Sequence, residues 1–572
     1  MPTNSLNPII VQSDRSILLE VDHPLHAEAR DALAQFAEIE KSPEHIHTYR
    51  ISPLSLWNAS AAGLAPDYVV DLLAHFSKYD IPANIITDIH DYMQRYGRLK
   101  LLQEAGQLLL QSPDPSLMTE IAHHKRVQPY LLGQINAHTL RIDPARRGHI
   151  KQALIHIGFP AEDLAGYSEG TTLPVELRKR TANDKPFSMR AYQEASVNAF
   201  YLDGSPGGGC GVIVLPCGAG KTIVGIGTIA TLQRSTLILT PNTVAVRQWI
   251  AELLDKTTIQ SDQIGEYTGE RKEIRPITVS TYQILTYRPT EESDFPHFSL
   301  FTSQDWGLII YDEVHLLPAP VFRITAEIQA RRRLGLTATL VREDGREADV
   351  FSLIGPKRYD VPWRDLEKQG WIATAECHEI RVSLREDERM EYAVAEEREK
   401  YRIAAENPIK LDIVHRLVSK HQDDQVLIIG QYIDQLKALA ELLTAPLITG
   451  RTSNGQREKL YEQFRRGDLK CLVVSKVANF AIDLPDANVA IQVSGTFGSR
   501  QEEAQRLGRI LRPKVDGGFA YFYSIVTRDT RDQDFSANRQ LFLTEQGYRY
   551  LIEDGEEVLP TGNIPTSPSV AG

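Results

Sequence analysis

Cysteine is scarce: Cys210, Cys217, Cys377 and Cys471 are the four thiols in a chain of 572 residues. So few, so widely spaced, they make no disulfide framework, and a reducing compartment is expected. None forms a C-x-x-C pair, which argues against a structural zinc or a four-cysteine iron–sulfur cluster. No apolar run reaches the roughly 18–20 residues that a membrane span needs. The first residues also lack the charged-then-apolar order of an export signal. The expectation is a cytoplasmic protein without a membrane partner. Positive charge is in deficit too, because 63 Lys+Arg against 75 Asp+Glu leave −12. That excludes a histone-like polycation. Any polyanion partner must be held by local basic patches.

What is present is ordinary globular material, 42% apolar and 24% charged. At about 150 residues per domain, three or four domains are expected. Residues 1–184 read as an N-terminal α+β region. Pro66 to Phe76 places apolar residues at helical spacing, and Ser16 to Val21 and Arg98 to Leu102 read as strands. Eleven of the sixteen histidines fall here, including His45/His47 and His123/His124. No carboxylate or cysteine recurs beside them at ligand spacing, so they read as solvated or capping residues.

Residues 185–365 alternate strand and helix, with short apolar runs at Gly211–Leu215, Thr236–Thr240, Ile277–Ser280, Gly307–Tyr311 and Arg333–Leu336. Such runs suit buried parallel strands. Residues 366–548 repeat the pattern at Gln425–Gly430, Lys470–Val474, Val489–Val493 and Phe519–Val526. The fold class expected is therefore α/β, with two tandem parallel-sheet domains after the α+β region. The tail, 549–572, is acidic and then rich in Pro, Ser and Gly, and reads as disordered.

Cys217-Gly218-Ala219-Gly220-Lys221-Thr222 follows one apolar strand and opens a helix. It is the end of the G-x-x-x-x-G-K-[ST] pattern, with Leu215 where the first glycine would stand. Gly218, Ala219 and Gly220 would bring backbone N–H groups to phosphate oxygens. Lys221 would reach the β/γ-phosphates and Thr222 would ligate Mg²⁺. Some 90 residues on, Asp312-Glu313-Val314-His315 ends a second apolar strand. There Asp312 can hold the metal and Glu313 can orient and deprotonate water. No Asn-Lys-x-Asp segment follows, which disfavours a GTPase. Thr337 and Thr339 sit after the next strand, where hydroxyls can link the nucleotide site to a neighbouring domain. Gln193, beside Arg190, carries an amide suited to an adenine edge. Gln505 to Arg512 reads as a basic helix, with Arg509 and Arg512 three apart on one face and able to meet one triphosphate.

The order of these motifs resembles superfamily 2 helicases, whose two RecA-like domains close over ATP. The segments LPCGAGKT, STYQIL, WGLIIYDEVHLLPAPVFR, LGLTATLVREDG and QRLGRILRPK are similar to those of the XPB family, helicases and translocases of nucleotide excision repair. The likeness spans roughly residues 15–530. It implies an ATP- and Mg²⁺-dependent DNA helicase of 3′-to-5′ polarity, with a nuclease partner in prokaryotes. It places Asp483 and Gln505 at the nucleotide between the domains, Arg509 and Arg512 on its phosphates, and Arg342, Glu343 and Asp344 at the DNA. Where the family carries a small DNA-gripping thumb, near 385–410, this chain is acidic: EYAVAEEREKYRIAAEN. Gln501-Glu502 likewise replaces a more basic stretch. The alternatives are a duplex translocase that does not unwind processively, an RNA helicase, or a scaffold switched by ATP.

Overall fold

Buried parallel strands are apolar on both faces, and this sets the architecture of both large sheets. The structure is a computed structural model describing residues 7–41, 45–165, 169–204, 208–216, 218–289, 296–317, 332–338, 347–361, 363–371, 374–475, 487–495, 520–545, 548 and 550–558. The chain divides into two units, Met1–Asp365 and Leu366–Gly572.

The first unit begins with an antiparallel sheet of β1 (Ile9–Val11), β2 (Ser16–Glu20), β3 (Glu38–Lys41) and β4 (Ile46–Arg50), ordered β1-β2-β4-β3. The helix expected at Pro66–Phe76 forms over those residues and buries Val69, Leu73 and Phe76. A second sheet holds β5 (Leu99–Glu104), β6 (Gln107–Gln111), β7 (Leu131–Asn136), β8 (Thr139–Ile142) and β9 (Ala161–Asp163), ordered β7-β8-β6-β5-β9. Alternating leucines such as Leu99, Leu101, Leu108 and Leu110 supply its core. His45 faces Asp22 at 3.1 Å, and His123 bonds the Thr119 carbonyl of its own helix.

A parallel sheet of seven strands follows: β10 (Cys210–Val214), β11 (Thr236–Thr240), β12 (Ile264–Tyr267), β13 (Ile277–Thr281), β14 (Leu308–Asp312), β15 (Arg332–Thr337) and β16 (Lys357–Asp360). Their order is β12-β13-β11-β14-β15-β10-β16. The five expected strands form within about a residue of the boundaries read from sequence. Because all pairings are parallel, every carboxyl end lies along one edge of the sheet.

The α+β region docks on this sheet through a buried ionic knot. Helix Arg147–His156 presents Arg147 and Lys151, one turn apart, to Asp163 of β9. Arg333 of β15 reaches the same carboxylate at 3.2 Å from 170 residues away. All four side chains are at most 7% exposed. Trp57 and Tyr96 pack against Phe351, and Asn58 accepts the backbone N–H of Lys357.

The second unit repeats the design with β17 (Ala375–Val382), β18 (Val426–Gly430), β19 (Leu447–Ile448), β20 (Cys471–Ser475), β21 (Val489–Gln492), β22 (Ala520–Thr527) and β23 (Tyr550–Asp554). Their order is β19-β20-β18-β21-β22-β17-β23, all parallel. The segment near 385–410 forms two helices, Glu386–Val394 and Glu397–Ala405. Tyr401 anchors the second by donating its hydroxyl to the Gly495 carbonyl, while Met390 and Val394 stay exposed. The tail is a correction: 550–554 are not irregular but pair in parallel with β17. Glu553 meets His378, and Asp554 meets Arg528 at 2.7 Å, so acidic residues that read as a solvated tail close the sheet edge. No helix among the described residues is long and apolar enough to cross a membrane.

Candidate active site

Three neighbouring strands, β10, β15 and β14, deliver the site residues to one sheet edge. After β10 the chain turns at Gly218 and Gly220, both at φ +82°, a conformation that only glycine adopts without strain. Gly220 precedes helix Lys221–Leu232, and no side chain caps its N-terminus. The backbone N–H groups and dipole of such a helix N-terminus suit a phosphate. A side chain at Gly220 would also strike Gln193, since a Cβ there would lie 2.6 Å from its amide nitrogen.

Asp312 ends β14, and Glu313 follows it in a left-handed conformation, φ +50°. A non-glycine residue there costs about 1–3 kcal/mol, and such strain clusters at working sites. Lys221 Nζ lies 3.1 Å from Glu313 Oε1. His315 lies 3.4 Å from the other Glu313 oxygen and 2.8 Å from the Thr337 hydroxyl, which ends β15. Burial raises the Glu313 carboxyl, but Lys221 and His315 outweigh that and lower it overall. Asp312 moves the other way, up to about 6, because burial and the adjacent Glu313 outweigh a hydrogen bond from Trp249. Two half-buried carboxylates share one lysine, and this deficit of positive charge suits a divalent cation.

Gln193 is buried with both ends engaged: its amide donates to the Ala219 carbonyl at 2.9 Å and accepts the Arg190 N–H. Tyr192 donates to the same carbonyl at 2.7 Å and takes a bond from Arg190. Arg190 and Gln193 are therefore braced against the glycine turn. Lys221, Asp312, Glu313 and Thr337 are brought together, and Thr222 lies in the first turn of the helix. Thr339, Arg342, Glu343, Asp344, Asp483, Gln505, Arg509 and Arg512 lie outside the described residues.

Sequence reading missed two residues that fix Asp312. Trp249 Nε1–H donates to Asp312 Oδ2 at 2.9 Å, and the Tyr282 hydroxyl donates to the Asp312 carbonyl at 2.8 Å. Trp249 sits with Val246 and Leu253 on the buried face of helix Thr243–Lys256, a spacing that reads simply as core. Its indole N–H was the only hint, since a buried tryptophan needs an acceptor. Replacing Trp249 by Phe keeps most of the ring and deletes the donor. ATP turnover is expected to fall about tenfold, the scale of one hydrogen bond to a charged group. Steady-state ATPase assays check this, with unchanged turnover counting against the assignment.

Comparison with known proteins now adds to the geometry. Residues 366–558 match the family described as the ERCC3/RAD25/XPB C-terminal helicase. Residues 186–342 match the type III restriction enzyme res subunit, and residues 9–136 a helicase conserved C-terminal domain. The chain is 55% identical over 553 residues to the DNA 3'-5' helicase XPB of Mycobacterium tuberculosis, covering 96% of this chain and 98% of that one. The chain belongs to the XPB family. The XPB of Kineococcus radiotolerans is 53% identical, with 98% of this chain and 99% of that one covered. A eukaryotic XPB, the general transcription and DNA repair factor IIH helicase/translocase subunit of Enterocytozoon bieneusi, is 34% identical across 95% of this chain and 92% of its own.

Proposed function

We propose that this chain is an ATP-hydrolysing DNA helicase and translocase of 3′-to-5′ polarity that opens DNA for repair. The observation that carries the reading is the Lys221–Glu313–Asp312 cluster beside an uncapped, glycine-entered helix, in a chain of this family. Thr222 and Asp312 are the residues to hold Mg²⁺, which when bound neutralises charge on the phosphates. Lys221 exchanges its pairing with Glu313 for the β/γ-phosphates. Glu313, anionic at neutral pH, is then free to orient a water and accept its proton. Asp483, Gln505, Arg509 and Arg512 are the further candidates for contact with the nucleotide, as the family resemblance implies. Arg190 and Gln193 report on the adenine through their brace on Ala219. The His315–Thr337 contact ties Glu313 to the end of β15, ahead of Thr339, Arg342, Glu343 and Asp344, which meet the DNA.

DNA is the partner, held mostly by phosphate contacts and with little sequence preference. A nuclease that cuts near the opened strands fits the same task. The acidic helix Glu386–Val394 favours a second reading, in which the motor moves on duplex DNA without processive unwinding. Strand displacement measured beside triplex displacement separates the two. Displacement of 3′-tailed strands supports a helicase, whereas ATP-dependent triplex displacement alone assigns a duplex translocase.

A further inference from the structure

The carboxyl end of β21 is held more firmly than a strand end requires. β21 lies between β18 and β22, and the chain leaves it through Val493, Ser494 and Gly495. Each of these three residues is fixed from outside its own strand. Lys410 donates to the Val493 carbonyl at 3.0 Å and to Asp532 at 2.6 Å. The Ser494 hydroxyl donates to Gln435 at 3.1 Å and accepts the Gln431 N–H at 2.8 Å. Tyr401 donates its hydroxyl to the Gly495 carbonyl. Gly495 also packs so closely on Arg539 that a Cβ there would lie 2.5 Å from the guanidinium carbon.

Lys410, Asp532 and Arg539 are each at most 1% exposed. Well-packed apolar residues hold a fold together as well as a buried ion pair does, or better. Stability of the sheet therefore does not call for this arrangement, whereas a fixed exit from β21 does. Gln505 stands ten residues beyond Gly495, and Arg509 and Arg512 follow it, so the exit is where their segment is rooted. Open parallel sheets bind ligands outside the carboxyl ends of their strands.

Tyr401 belongs to helix Glu397–Ala405, in the stretch whose family likeness is a DNA-gripping thumb. That helix is built into the second unit. Its Ala404 carbonyl accepts the Thr527 hydroxyl at 2.6 Å, and its Ala405 carbonyl accepts the Gln435 amide at 2.7 Å. Glu397 pairs with Arg531 at 2.7 Å, and the Tyr401 ring meets Phe535 edge-on with centroids 4.9 Å apart. The preceding helix, Glu386–Val394, buries no residue.

We infer that Tyr401 is a positioning residue for ATP hydrolysis: its bond to Gly495, beside the Lys410–Asp532 pair, fixes the exit of β21 and so places Arg509 and Arg512, on the reading that those arginines act at the nucleotide. Helix Glu397–Ala405 then serves the ATPase cycle apart from any hold on DNA.

The test is steady-state and single-turnover ATP hydrolysis by the full chain without DNA, so that a defect in DNA grip does not enter. Tyr401→Phe keeps the ring and deletes the hydroxyl. It should lower kcat about tenfold, the scale of one buried hydrogen bond, with KM for ATP kept within about twofold. Thermal unfolding should shift by only a few degrees. Residues that act through one another are not additive, whereas independent lesions multiply. Tyr401→Phe should therefore slow single-turnover hydrolysis no further in a chain that already carries Arg509→Ala and Arg512→Ala. An undiminished tenfold loss in that background, or failure of Tyr401→Phe to fold, means a structural role and overturns the inference. So does wild-type kcat in Tyr401→Phe while the arginine variants are impaired. Wild-type turnover in Arg509→Ala and Arg512→Ala would instead contradict the role of the arginines, and that of Tyr401 with it.

Discussion

Glu313→Gln leaves nucleotide binding nearly intact and lowers ATP turnover by about 10²–10⁴-fold, the range for a positioned general base. The amide has almost the shape of the carboxylate, so Lys221 and the backbone around φ +50° keep their places. What disappears is the proton acceptor. Glu313 suits that task because Lys221 and His315 hold its carboxyl low despite burial, so it is ionised at neutral pH. Equilibrium binding of a nucleotide analogue and single-turnover hydrolysis check the two halves separately. Loss of binding with normal chemistry would assign Glu313 a structural role. The same variant eliminates the scaffold reading if it abolishes repair in cells.

Asp163→Asn has the second large effect, on stability. Removing one charge from a buried ionic group strands its partners, typically at a cost of about 3–5 kcal/mol. Here three cations are stranded together, at the joint between the α+β region and the ATPase sheet. Urea unfolding should show the loss as a shifted midpoint in the transition of the unit that holds Asp163. The pH dependence has a definite sign. Burial raises the Asp163 carboxyl, but Arg147, Lys151 and Arg333 outweigh it and hold it well below the ordinary carboxylate range. Its contribution is therefore complete above about pH 4 and is lost only as the pH falls through the depressed value. A wild-type minus Asp163→Asn stability difference that does not fall between pH 7 and 5 and shrinks only in strong acid agrees with this. A difference already falling at pH 6 does not.

Much of the fold was legible because parallel strands buried on both faces must be apolar end to end. Gly307–Tyr311 and Gln425–Gly430 stood out for that reason. The edge strands did not. Lys357–Asp360 reads KRYD and Tyr550–Asp554 reads YLIED, with polar side chains that look like loop or tail. Their pairing partners lie far off in sequence. The centre of the site was legible because Lys221 and Glu313 sit in glycine and acidic motifs tied to strand ends. Gln193 was read as an adenine contact from its type, and what the sequence could not show is that its amide is engaged at Ala219. Trp249 was hidden by its helical spacing, which a core residue would share. The Asp163–Arg333 pair was invisible because only tertiary structure joins residues 170 positions apart.

The net charge of −12 excludes a polycation but not a nucleic-acid partner held locally. A motor that must release its track on every cycle needs only a weak, salt-sensitive grip, and the basic residues at Arg342 and in 500–514 of the sequence suit that. The account therefore rests on coupling between ATP and DNA more than on tight binding. The direct measurement is ATP turnover with and without forked, bubble and 3′-tailed DNA, for wild type and Lys221→Ala, with strand displacement read in the same samples. The account predicts that DNA accelerates turnover by wild type alone, and that 3′-tailed strands are displaced only when ATP is hydrolysed. Wild-type turnover that DNA does not raise above the Lys221→Ala level would contradict it.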